Sequence, residues 1–143
     1  MELGKLAEAA KAHDEAVTRT VLDLEGEPIL SESGEPCTID VLGAESKAVR
    51  RAKAQIARKA LKSRRRRGEA DDLGESRRAL ACAALVGWSG FTGDGKDAPL
   101  TTENKMLFLS PKDDEGTVLD FTLQQVEEVM YDHAGFSRDS SQT

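Results

Sequence analysis

The chain has 143 residues, of which 38% are apolar and 32% charged, and it carries a net charge of −6. That length supports one domain with room for tails. The lack of a long apolar run argues against a membrane span, and two distant cysteines, Cys37 and Cys82, with no CxxC spacing argue against a disulfide framework or a zinc site.

The charge is segregated. Lys47 to Arg67 holds eleven basic residues and no acid, so the other nine bases face all 26 acidic residues. Such a bipolar chain is suited to head-to-tail self-association or to partners of either sign. The aromatics are segregated too: all six lie at or beyond Trp88. Aromatic side chains supply large buried areas, so the better-formed core is expected to involve the C-terminal half. With no signal peptide apparent, the expected setting is soluble and cytosolic.

In chain order, Leu3 to about Thr20 reads as an alanine-rich helix, with Leu3, Leu6, Ala10 and Val17 roughly on one side. The stretch "VLDLEGEPILSESGEPCTIDVLG" then breaks into short apolar runs divided by turn residues. It predicts two or three small strands, including a hairpin and the alternating Thr38–Val41, with Pro28 and Pro36 at edge positions.

A basic helix follows from about Ala44 to Arg65, where Val49, Ala52, Ile56 and Ala60 form one apolar stripe with Leu61 beside them. The run "SRRRRGEADDLGES" ends it, and residues 66–74 read as a mobile connection. A second helix is predicted from Glu75 to Val86 or Trp88, with Leu80, Ala83, Ala84, Leu85 and Trp88 apolar; Gly87, Gly90, Gly93 and Gly95 break the chain into a loop. Thr101 or Thr102 is placed to cap a short helix carrying Glu103 in its first turn, with Met106 to Leu109 as its buried side and Pro111 closing it. A last helix from Val118 or Leu123 to His133 turns Leu119, Leu123, Val126, Val129 and Met130 inward, and Ser137 to Thr143 reads as a disordered tail.

The fold expected is therefore mainly α with a small N-terminal β-hairpin: an α+β arrangement in one compact helical domain. Its parts are an N-terminal helix over 1–20, the domain proper over 21–136 and a tail over 137–143.

Several chemistries can be weighed. Gly90 to Asp97 fits GxxxxGK, but Asp97 stands where a phosphate loop needs a magnesium-binding hydroxyl, and the motif follows a helical pattern rather than a strand. A calcium loop ending at Glu103 would set Lys96 among the ligands, which repels the ion. His13 and His133 are the only histidines and form no readable catalytic set; Cys82 lies in an apolar helix.

Arg64, Arg65, Arg66 and Arg67 are the serious rival, since they suit phosphate contacts or steering toward an acidic protein surface. No aromatic is interleaved with them for base stacking, which weakens a nucleic-acid reading. Trp88 and Phe91 are either core at a helix junction or anchors for a partner. The expectation is thus a non-catalytic protein with no metal and no cofactor.

Three stretches in order resemble the small tail assembly chaperones of long-tailed bacteriophages. "DLEGEPILSESGEPCTIDVLGAESKAVRRAKAQ" resembles that family's opening hairpin, strand, small-residue turn and charged helix, here starting near Ser46. "ALACAALVGWSGFTGDGKDAPLTTENKMLFL" resembles its centre, with an aliphatic-Gly-Trp step, a glycine-containing loop and a Ser/Thr-x-Glu-Asn-like helix start. "VEEVMYDHAGF" resembles its closing helix. The likeness runs from about Leu22 to Phe136; the first helix and the arginine block depart from it.

The resemblance implies a protein of the infected bacterial host's cytoplasm. It would bind the tape-measure protein, help recruit tail-tube subunits, and be absent from the finished virion. An aggregation-prone helix can be shielded by an amphipathic groove; the residues expected to form it are Val49, Ile56, Leu80, Leu85, Trp88 and Phe91. A structural tail or head-completion protein of the virion is the alternative, and a basic-helix nucleic-acid binder a further one.

Overall fold

The computed structural model describes residues 2–62, 72–93, 95–133 and 135–136. Arg64, Arg65, Arg66 and Arg67, much of the acidic turn after them and the tail from Ser137 lie outside the described residues.

The sheet is organised by β2 (Thr38–Val41), whose alternating sequence turns Ile39 and Val41 inward, at 1% and 0% exposure. It pairs antiparallel with β1 (Val17–Thr20) on one side and β3 (Leu85–Ser89) on the other, in the order β1-β2-β3. Val17 lies opposite Val41, Trp88 opposite Ile39 and Leu85 opposite Val41 across an irregularity at Asp40/Val41. The opposite face carries a polar row. Thr18 Oγ1 donates to Asp40 Oδ1 at 2.6 Å, and Gly87 lies across from Asp40. A Cβ at Gly87 would press on the Asp40 carboxylate, which would have to shift to admit a larger residue.

Two sequence expectations are corrected here. The N-terminal segment is a 3-10 helix over Leu3–Asp14, and Val17 to Thr20 is strand, not the end of a helix. Val, Thr and Thr suit a pleated surface, and Val17 gains a buried place beside Val41. The second helix stops at Ala84, and Leu85 to Ser89 is strand. An apolar run such as "LVGW" is compatible with buried helix or buried strand; pairing with β2 decides it, and Leu42 N–H donates to Ala84 C=O at the changeover.

The hairpin expected over 21–41 is also more dispersed. β1 supplies the partner of β2, and the chain between them makes bridged turns at Leu22/Pro28 and Leu30/Pro36. These turns share a pattern with a third at Lys112/Val118. In "DLEGE" and "DDEGT" the aspartate accepts from amides two and four residues on: Asp23 from Glu25 and Glu27, Asp113 from Glu115 and Thr117. Gly26, Gly34 and Gly116 follow at φ 82–88°, the left-handed region open to glycine. "SESGE" replaces the aspartate with Ser31 and keeps the same backbone bonds.

Four α-helices complete the α+β fold among the described residues. α1 (Lys47–Lys62) starts after Ser46, whose fully buried hydroxyl accepts from Val49 N–H. α2 (Asp72–Ala84) is central and touches α1, α3 and α4. α3 (Thr102–Leu109) is capped by Thr101, whose hydroxyl accepts from Asn104 N–H, and has Glu103 in its first turn. Leu109 is buried there, whereas Leu107 is 66% exposed, so only part of the expected face turns in.

α4 (Phe121–Met130) buries Thr122, Leu123, Val126, Val129 and Met130, the spacing of one helical face. Two pairs tie α2 to it: Arg77 grips Glu127 through two bonds of 3.0 and 2.6 Å, and Arg78 meets Asp120 just before the helix at 2.5 Å. Gln125 acts as a strand substitute: its side-chain amide accepts from Leu22 N–H and donates to Leu22 C=O, both at 2.7 Å. The fully enclosed core is mostly aliphatic, with Phe136 its one buried aromatic ring among the described residues.

Candidate partner-binding site

The six residues expected to form a partner face are split between core and surface. Val49 and Leu85 are 0% exposed and belong to the core. They support the surface without forming it. Leu80, Trp88 and Phe91 are partly buried against the core, and Ile56 is partly exposed on α1.

Trp88 and Phe91 join Phe108 of α3 in an aromatic corner. Ring centroids are 5.7 Å apart for Trp88–Phe91, 6.1 Å for Trp88–Phe108 and 5.3 Å for Phe91–Phe108, all inclined or edge-on. Trp88 Nε1–H donates to Ala98 C=O at 2.9 Å, fastening the glycine loop to β3. That loop is a tiny hairpin, β4 (Thr92–Gly93) with β5 (Lys96–Asp97), closed by Ala98 N–H to Phe91 C=O. The GxxxxGK stretch thus follows a strand, not the helix expected, but turns back as a hairpin instead of opening a helix as a phosphate loop does.

α1 presents a different surface. Its sixteen residues include seven bases and no acid, and its main packing partner is α2. Beyond Val49 and Ala52 the apolar stripe emerges: Ile56 is half-buried, Ala60 exposed and Leu61 65% exposed. A groove of about 840 Å³ lies over α2, lined by Ala79, Cys82, Met106 and Val118 among others, with Lys59 its one lining residue from α1. The groove joins apolar floor to charged rim, the Arg78–Asp120 pair lying on that rim.

Sequence reasoning missed the groove's contribution from α3 and from Val118. Those residues are distant in sequence, and only the packing of α3 against α2 brings them to the groove. Burial raises the pKa of both Cys37 and Cys82, with Lys105 partly opposing it at Cys82; neither thiol is activated as a nucleophile. Among the described residues no three His, Cys, Asp or Glu side chains gather to hold a metal ion, and no helix is long and apolar enough to cross a membrane.

Compared with known proteins, the chain matches no family model, no curated sequence and no solved structure.

Proposed function

We propose that this chain is a non-catalytic phage tail assembly chaperone. It shields an apolar helical segment of the tape-measure protein, aids recruitment of tail-tube subunits, and works in the cytoplasm of the infected bacterial host. The family part of the reading rests on the three sequence stretches that resemble that family. The observation carrying the binding part is the stripe Ile56–Ala60–Leu61, which emerges from the core along the basic helix α1. An amphipathic helix laid along such a stripe buries its apolar face there. The seven bases of α1 favour a partner whose flanks are acidic, chiefly by speeding and orienting the encounter.

Co-expression with a tape-measure fragment tests this. The expected result is a soluble complex that Ile56→Asp with Leu61→Asp disrupts while far-UV circular dichroism stays unchanged. A tape-measure fragment that remains insoluble, or a complex indifferent to those changes, refutes the stripe as the binding surface. Presence of the chain in purified intact particles would favour a structural tail or head-completion protein. The basic face of α1 also supports a second reading, nucleic-acid binding; it requires affinity that falls steeply with salt and is lost when Arg51, Lys53 and Arg58 are neutralised.

A further inference from the structure

His13 and His133, the chain's two histidines, are 120 residues apart in sequence, yet their rings meet. His13 is 5% exposed and sits at the end of the N-terminal 3-10 segment. It stacks on Phe136 with centroids 4.8 Å apart, and its Nε2 lies 3.2 Å from His133 Nδ1. On its other side Glu45 N–H donates to His13 Nδ1 at 3.1 Å. The adjoining backbone is held by Gly43 N–H to His13 C=O at 2.9 Å and Lys47 N–H to Asp14 Oδ1 at 2.8 Å. Gly43 is required by this contact, since a Cβ there would overlap the His13 ring and its Cβ. The rest of the segment is lightly held, with Leu3 84% and Leu6 55% exposed.

We propose that His13 and His133 form a pH-operated clasp that fastens residues 3–14 onto the start of α1 and the C-terminal turn, and releases them on acidification. The bond order gives the reason. Glu45 N–H occupies His13 Nδ1, so neutral His13 carries its proton on Nε2 and donates to His133 Nδ1. An added proton on His13 must sit at Nδ1, facing the Glu45 N–H. An added proton on His133 must sit at its Nδ1, facing His13 Nε2–H, and shifting the His13 proton to escape that returns the conflict to Glu45. One proton on the pair therefore sets two donors against each other.

The surrounding charges are mixed. Asp14 on the segment and Glu45 on the loop favour protonation of His13 and His133 opposes it, while Lys11, and Lys47 and Arg50 of α1, line the same cavity. Burial is the largest influence and His133 the next. Both lower the His13 pKa below its ordinary 6.5, against smaller opposing pulls from Glu45 and Asp14. A base whose docked pKa is lowered contributes fully above its free value. The clasp is thus complete above pH 6.5 and weakens as pH falls toward the docked value.

Amide hydrogen exchange on the full chain, corrected for the intrinsic pH dependence, tests the clasp. Between pH 7.5 and 5, protection at Gly43, Glu45, Lys47 and across 3–14 is expected to fall, by about tenfold for each pH unit separating docked from free His13. Amides within α4 should keep their protection. His13→Phe preserves the stack on Phe136 and removes the titration, so its protection should not change over that range. A flat profile in the parent protein, or the same fall in His13→Phe, overturns the proposal. Should His13→Phe not fold, nuclear magnetic resonance titration of the parent decides: a His13 midpoint at or above 6.5 refutes the clasp, and one below it supports it.

Discussion

Trp88→Ala separates a structural tryptophan from one held out for a partner. The residue is half-buried on β3, packs against Phe91 and Phe108, and ties the glycine loop to the sheet through its bond to Ala98. Full burial would make truncation cost about 3–5 kcal/mol, and partial exposure reduces that loss. Each inclined ring contact adds roughly 0.5–1.5 kcal/mol, and the loop bond contributes on the order of 1 kcal/mol. The expected loss is about 3 kcal/mol, or a fall in Tm of roughly 10 °C for a domain of this size. Trp88→Phe keeps an aromatic ring and drops the N–H, so about 1 kcal/mol is expected. Urea denaturation followed by far-UV circular dichroism gives both values without relying on the lost fluorophore. If Trp88→Ala costs less than about 0.5 kcal/mol, within the range of ordinary surface changes, the corner does not organise the loop and this reasoning fails. A stable Trp88→Phe protein that no longer binds its partner would instead give the indole a direct role in recognition.

Other substitutions probe the division between core and surface. Leu85→Ala, at a fully buried position, should cost about 2–5 kcal/mol through the cavity it leaves. Ile56→Ala, on the half-exposed stripe, should cost under about 1 kcal/mol and be felt in partner binding, checked by thermal melts and by isothermal titration with the tape-measure fragment. Gln125→Ala removes both side-chain bonds to Leu22 and should cost on the order of 1–2 kcal/mol, with exchange protection of the Leu22 amide lost first. Thr101→Ala should cost about 1 kcal/mol by leaving the Asn104 amide without its cap, measured by urea midpoint.

Much of the local structure was legible because short-range rules decide it. The alternation of Thr38-Ile39-Asp40-Val41 needs only the twofold period of a strand to show which side chains point inward. The cap at Thr101 and the inward face of α4 follow from hydroxyl-to-amide bonding and helical spacing. Turn residues marked the breaks at Gly26 and Gly34, although the shared geometry with Gly116 emerges only when the three turns are compared.

What the sequence determined on its own is therefore the set of short pieces, their polarity and the separation of charge along them. Tertiary structure alone decided the fate of Val17–Thr20 and Leu85–Ser89, where apolar and β-branched residues suit more than one conformation and the unpaired edges of β2 select strand. It also moved Val49 and Leu85 out of the surface and into the core, assembled the groove chiefly from α2, α3 and the chain before α4, and joined His13 to His133 across 120 residues. The reason is the range of the interactions. Periodicity and capping act within a few residues, whereas strand pairing, burial and side-chain clusters depend on which distant segments the collapsed chain brings together.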